Sequence, residues 1–409
     1  MKEYAAIIVG GGASGMFCAQ RLADGGVKDI LLLERNDRLG RKLSATGNGQ
    51  GNVTNIHMSA EHYFSDDPAL VASVLGRFGW GELLRSLSSL GGIFLPDEAG
   101  RVYPTSRQAA SVTDLLRFAI EGRVDVRTGA RVLSADAEGD RFFVRTEGEE
   151  FCGRSLLLAC GGKAAPHFGT DGSGYALARA FGHTVTPLRP SLVQLKTEQT
   201  FIRGLKGVRA DCAVRIASCG REHSSQGGRV CMRGDLLFTD YGVSGDAIFR
   251  LSAFCREGDV LSVDFLPDCP GSVVEEALRE KAARYPQMRE EDLLRGIVNS
   301  AVGKCLAKYS ANSPFCQKQD SLSCLASCVK DFRLPVIGSL GFDYAQVTKG
   351  GVPLREVDGD LMSRKAEGLY LLGELLNVDG ECGGYNLQWA FSSGAVAAAS
   401  VAGREHAHR

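Results

Sequence analysis

Three glycines near the N-terminus stand at the spacing that dinucleotide binding requires. In "VGGGASGMFCA", Gly10, Gly12 and Gly15 make G-x-G-x-x-G. The apolar run Tyr4 to Val9 before them reads as a buried strand, and Met16 to Ala23 after them takes a helical period. The next strand, "DILLLERN", ends at Glu34. In that setting each residue has a chemical reason. Gly10 allows the tight turn, Gly12 lets the backbone approach a pyrophosphate, and Gly15 lets helix and strand pack closely. The helix start, with Ala13 and Ser14, offers amide donors and positive potential to an anion. Glu34 is expected to accept hydrogen bonds from the adenosine ribose and to repel a 2′-phosphate. Arg35 is grouped with it in the cofactor set.

A second segment faces the same way. "LYLLGELLNVDGECGGYNLQWAFSSGAVAA" reads as strand, loop and long helix. The strand ends at Gly373-Glu374, and Glu374 or Asp379 is expected at the ribityl or pyrophosphate region. Gly383 and Gly384 lead into a helix whose first residues include Asn386 and Leu387. Its N-terminal dipole suits the negative charge that a reduced flavin carries near N1 and O2. A dehydrogenase holding NAD alone has no use for this segment, so the pair points to FAD. A third piece, "LLLACGG", carries Gly161. The stretch "GRKLSATGNGQGNVTN" has four glycines and three asparagines and no period of its own. Arg41 and Lys42 are expected at the pyrophosphate or adenine. Gly47, Asn48 and Gly49 are expected to pass close to the isoalloxazine, with Asn52 and Asn55 tying the loop down.

These pieces need a scaffold. The expected fold class is α/β, with a Rossmann-like, glutathione-reductase-like FAD-binding domain split between the chain ends. The expected divisions are residues 1–187, a β-rich insertion over 188–270, a helical insertion over 271–335, and return strands with the second FAD-binding part over 336–409. A length of 409 residues suits two or three domains. The 47 Lys and Arg balance 48 Asp and Glu, which argues against a nucleic-acid partner or an anionic membrane surface. No apolar run reaches membrane-spanning length. The 13 cysteines include no CxxC pair and read as reduced thiols of a cytoplasmic protein; no metal site is expected.

Taken together, the motifs resemble one family, the YhiN-like (BaiN-like or RdsA-like) FAD-dependent NAD(P) oxidoreductases. The resemblance rests on "GGGASGM", "GRKLSATGNGQGNVTN", "GGKAAPHFGTDGSGYALARAFGH", "LLFTDYGVSG", "VTKGGV" and "GECGGYNLQWAFSSG". It departs from the family pattern at Gln50, Gly51, Asp240, Asp246 and Asn377. The resemblance implies FAD and a distant relation to fumarate-reductase and ketosteroid-dehydrogenase flavoproteins. It also implies NAD(P)H-driven reduction of ring double bonds in 3-oxo-Δ4 or Δ4,6 bile acids. No second glycine fingerprint follows a strand, so NAD(P)H is expected to bind transiently over the flavin. For such chemistry an enolate oxygen needs a donor and the α-carbon needs an acid. Tyr241, Asp240 and Tyr385 are the catalytic candidates. His167 is a weaker candidate for contact. The alternative is a flavin-binding redox sensor without a dedicated small-molecule substrate.

Overall fold

The apolar runs expected as strands pair in parallel. In a computed structural model, which describes residues 2–217, 230–312 and 320–407, strand β1 (Glu3–Val9) lies between β2 (Ile30–Leu33) and the strand Glu150–Leu158. Strand Asp125–Arg127 extends the sheet beyond β2, and Leu369–Leu371 adds in parallel to Glu150–Leu158. Two antiparallel strands, Arg141–Thr146 and Val132–Glu138, complete a seven-stranded mixed sheet. The central parallel runs over residues 4–9, 30–33, 156–158 and 369–371 are continuously apolar and buried, as a sheet covered on both faces requires. The chain has the Rossmann-type mixed α/β architecture expected from the sequence, with additional structure inserted.

Helix α1 (Ala13–Asp24) and the C-terminal helix Tyr385–Ala407 pack together on one side of this sheet. Gly394 makes the close crossing possible, since a Cβ there would stand 2.7 Å from the Ser14 carbonyl oxygen. Phe17 meets Phe391 edge-on at 5.2 Å and Phe78 at 5.5 Å. Gln388, fully buried, accepts from Thr54 Oγ1 at 2.6 Å and donates to Ser392 Oγ at 2.9 Å. The bond to Thr54 anchors the last helix to the end of the glycine-rich loop.

The chain divides into two compact units, residues 1–189 with 346–409, and residues 190–345. The second unit is a closed six-stranded barrel, in the order Leu195–Thr197, Gly242–Ser244, Cys231–Phe238, Arg209–Ile216, Val260–Asp264 and Phe332–Ser339. Helices Gly271–Arg284, Ser300–Asn312 and Ser321–Lys330 share one apolar core with it, in which Tyr309 meets Phe332 at 4.9 Å.

Ten of the described cysteines are free, and Cys324 is disulfide-bonded. That corrects, at Cys324, the expectation of reduced thiols throughout. Cys219 and Cys316 lie outside the described residues. Among the described residues no helix is long and apolar enough to cross a membrane.

Candidate cofactor and active site

The sheet register sets the site. Val9 pairs with Leu33 and with Leu158, and Leu158 pairs with Leu371, so four parallel strands end together. Gly10, Glu34, Ala159 and Leu372 follow those ends, at the edge where open α/β sheets bind ligands. Gly10 has φ +111°, and a side chain there would strike the Ala159 carbonyl. At Gly15 it would strike the Gly10 carbonyl oxygen. Gly12 is different: a Cβ built on it meets nothing within 4 Å. Gly12 is also the N-cap of α1, with no side-chain cap bond. Free space therefore lies in front of a helix start whose amides lack a side-chain acceptor. That is the cradle a pyrophosphate fills, and the residues present fit FAD at this end.

Glu34 is buried and rigidly held. Its Oε2 accepts from Gly11 N at 2.8 Å, and its Oε1 accepts from Asn36 N at 2.8 Å and Asn36 Nδ2 at 2.7 Å. A carboxylate offers about four acceptor directions, so one remains, on Oε2, for a ribose hydroxyl.

Other residues of the expected cofactor set are already engaged. Arg35 pairs with Asp171 at 2.6 Å. Burial alone would raise the Asp171 carboxyl, but hydrogen bonds from Arg35 and Ser173 outweigh it and hold it at about 2. Arg41 donates to Asn36 Oδ1 at 3.0 Å and to the His167 carbonyl at 3.3 Å. His167 itself is exposed, with its ring against Phe168. These arginines brace the segment around residues 35–41 against residues 167–171. Gly161, at φ +70°, turns the chain against Thr170.

Lys42 reaches Glu374 at 2.8 Å, and Thr348 N donates to the other oxygen of Glu374 at 2.8 Å. Gly373 donates to Ser393 Oγ at 2.9 Å and accepts from Trp389 Nε1 at 3.1 Å, so this turn is fixed to the last helix. Asp379 lies in strand Val378–Gly380 and is 2% exposed. Burial pushes its carboxyl up to about 6, against the pull of Lys349 at 3.4 Å. Lys349 also lies over the Phe64 ring at 4.4 Å.

The glycine-rich loop is tightly turned and exposed at its tip. Gly47 to Gln50 face solvent, and Asn48 takes a left-handed φ of 53° that asparagine tolerates well. Gly49 and Gly51 both donate to the Thr46 carbonyl at 3.0 Å, and Gly49 accepts from Ala109 N at 2.7 Å. Asn52 donates to Thr54 O at 2.9 Å and Val102 O at 3.1 Å, and Asn55 donates to Gly383 O at 3.2 Å. The two asparagines thus tie the loop down and join it to the last helix.

At that helix, Gly384 packs on the Thr54 backbone. Asn386 closes the preceding turn, accepting from Gly380 N at 2.8 Å and donating to Gly380 O at 2.7 Å. Its side chain serves the turn. Leu387 is half-buried against the core of α1. Tyr385 is 5% exposed, and its hydroxyl has no hydrogen-bond partner among the described residues. Burial raises its phenol above the ordinary value, with the charge of Glu381 adding to the effect.

Asp240 and Tyr241 belong to the second unit. Asp240 is exposed and pairs with Lys206 at 2.7 Å, which holds its carboxyl below the usual value. The pair with Lys206 favours the ionised form of Asp240, and an ionised carboxylate is a poor proton donor. Tyr241 is half-buried, and its carbonyl accepts from Thr197 N at 3.2 Å.

Three residues beside Tyr385 and Asp379 were not read from the sequence: His62, Glu381 and Lys349. His62 Nδ1 lies 3.2 Å from Glu381 Oε2, and its ring stacks on Tyr385 at 4.5 Å. Lys349 sits in "VTKGGV", so its motif was visible; His62, in a polar loop, carried no signal.

A 3-dehydro-bile acid delta(4,6)-reductase of Clostridium scindens is 39% identical, aligned over 97% of this chain and 98% of its own. A ribosomal RNA dihydrouridine synthase of Escherichia coli is 30% identical over 96% of both chains. The fold is shared with the 3-ketosteroid delta1-dehydrogenase of Sterolibacterium denitrificans, at a TM-score of 0.52 and 15% identity over 99% of this chain and 100% of that one. It is shared too with the 3-ketosteroid-delta4-(5alpha)-dehydrogenase of Rhodococcus jostii, at 0.51 and 17% over 98% and 97%.

The RNA-modifying relatives correct one expectation. Balanced net charge argued against a nucleic-acid partner, yet relatives that match nearly the whole chain are named for action on ribosomal RNA. Net charge sums the whole surface and does not report a local binding face. The HI0933-like protein Rossmann domain family matches residues 4–400, and the chain belongs to that family.

Proposed function

We propose that the chain is an FAD-dependent reductase of a carbon–carbon double bond conjugated to a carbonyl, with NAD(P)H as donor and a 3-oxo-Δ4 or Δ4,6 steroid acid as substrate. The observation that carries this reading is the full-length 39% identity to a bile-acid delta(4,6)-reductase. The cradle at Gly12 supports it, because it leaves room where FAD needs it. Dihydrouridine formation is the same chemistry on another ring: uracil carries a double bond conjugated to its C4 carbonyl. Both relatives' names therefore describe one reaction type.

FAD, when bound, supplies the hydride that such a bond accepts at its β-carbon. The chain's own residues divide the remaining work. Gly10, Gly12 and the start of α1 hold the pyrophosphate, and Glu34 orients the ribose. Glu374 and Lys42 flank the ribityl region. Tyr385, with an unpartnered and firmly protonated hydroxyl, donates a hydrogen bond to the substrate carbonyl oxygen, where negative charge develops.

The test is anaerobic. The purified yellow protein is bleached with NADH or NADPH and mixed with a 3-oxo-Δ4 bile acid or with uridine-containing RNA. Rapid return of colour with the steroid supports the reading. Return with RNA alone moves the substrate to the nucleic acid. No return with any conjugated carbonyl leaves a redox-sensing flavoprotein and defeats the reductase.

A further inference from the structure

The reaction proposed above needs a proton at the substrate α-carbon, and Asp240, held ionised by Lys206, is poorly suited to supply it. We propose that His62 is the general acid and that Glu381 is its positioning residue, a reading that rests on the reductase function just described.

The pair is built by the fold from opposite ends of the chain. Strand Tyr63–Ser65 runs antiparallel to Val378–Gly380, with Gly380 opposite Tyr63. The pairing extends one residue further, where Glu381 N donates to His62 O at 3.0 Å. That places the two side chains beside each other, Nδ1 to Oε2 at 3.2 Å, from positions 319 residues apart. Three further ties hold the frame. Asn386 donates to the Glu381 carbonyl at 3.2 Å. Tyr63 donates its hydroxyl to the Tyr385 carbonyl at 2.8 Å. The Tyr385 ring stacks on the imidazole at 4.5 Å and shields one of its faces.

The chemistry follows from this arrangement. Glu381 accepts a hydrogen bond from Nδ1–H, which fixes the tautomer and leaves Nε2 as the working atom. Nε2 has no partner among the described residues, and the side chain is 33% exposed, so a ligand can reach it. The groups that face His62 are Glu381 and Tyr385, with Tyr63 on its own strand. A surface ion pair of ordinary worth needs none of this framing.

The step balances as follows. A bound reduced flavin would supply hydride to the β-carbon, and the double-bond electrons would move onto the α-carbon and the carbonyl oxygen. The Nε2–H bond of the imidazolium breaks, its proton forms the second C–H bond at the α-carbon, and the imidazole is left neutral. Solvent restores the proton. The hydride would carry both electrons, so that with the proton from His62 the substrate gains two hydrogens in all.

The experiment uses the full chain loaded with FAD, reduced with dithionite and mixed without oxygen with the enone that reoxidises the wild type. His62→Gln keeps an amide opposite Glu381 and should slow reoxidation by about 10²-fold or more at unchanged flavin content. Added imidazole should restore part of the rate to His62→Ala. A second readout needs no turnover: ¹⁵N NMR of the apoprotein should show the Nδ1–H tautomer of His62, and Glu381→Gln should mix the tautomers. The proposal is overturned if His62→Gln, with full flavin, reoxidises within about threefold of wild type. If the wild type reoxidises with no conjugated carbonyl, the reductase reading fails first and takes this proposal with it.

Discussion

The two ends of the glycine-lined site are made of different materials. At the proposed adenosine end the work is done by backbone: Gly10, Gly12, Gly15 and uncapped helix amides, with one carboxylate, Glu34, pinned by three hydrogen bonds. At the other end charged pairs gather around the start of the last helix: Lys42 with Glu374, Lys349 with Asp379, His62 with Glu381. The contrast separates holding from reacting. A pyrophosphate is held by shape and fixed dipoles, which need no titrating group. Proton transfer needs groups whose charge changes, and those groups are found where acids are buried or paired.

The largest test of this contrast lies within the fingerprint itself. Gly15→Val forces a side chain into the Gly10 carbonyl and should prevent the first strand–helix unit from packing, a loss on the order of 4 kcal/mol or no folded protein at all. A Cβ at Gly12 meets no protein atom within 4 Å, so in Gly12→Val the apoprotein should lose only about 1 kcal/mol while FAD affinity falls about 100-fold. Urea unfolding and flavin titration of the two variants read both effects. Equal destabilisation, or FAD retained in Gly12→Val, breaks the assignment of the cradle.

A smaller effect is expected at the reacting end. The Asp379 carboxyl is raised from its ordinary value to about 6, chiefly by burial. The folded chain therefore binds this proton more tightly than the unfolded chain. Stability from the neutral form is full below the ordinary value near 3.8 and is lost as pH rises through about 6. Asp379→Asn should remove that slope and raise stability at pH 7 by on the order of 2 kcal/mol. Thermal melts from pH 4 to pH 8 check the sign; a variant less stable at pH 7 than at pH 4, with the wild-type slope intact, counts against it.

The smallest effect is expected at Lys42. Its pair with Glu374 is about a quarter exposed, so Lys42→Ala should cost less than about 1 kcal/mol of apoprotein stability and weaken FAD by less than about tenfold. Unchanged flavin affinity would detach Lys42 from the cofactor.

What was legible in the sequence follows from how far apart the partners lie. The fingerprint, the strand before it and Glu34 occupy one short stretch, so spacing alone located them. The packing face of the last helix was also local: Phe391, Gly394, Ala395 and Ala398 are all buried, and Gly394 meets α1. Arg35 and Arg41 were expected at the cofactor, and their bonds to Asp171 and to the His167 carbonyl were not legible because those acceptors lie more than a hundred residues away. Asn386 read as a ligand because the turn that consumes its amide is visible only in three dimensions. His62 and Glu381 left no pattern at all, since the sheet pairing that joins them spans nearly the whole chain. Overall charge misled about nucleic acid for a different reason: it averages over the whole surface, where recognition is local.

The most direct test of the cradle is the flavin content of the purified protein. Absorbance and chromatography of the flavin released on denaturation should show FAD at about one per chain in the wild type and little in Gly12→Val of the same fold. A wild-type chain that is colourless and takes up no FAD on titration would contradict the account.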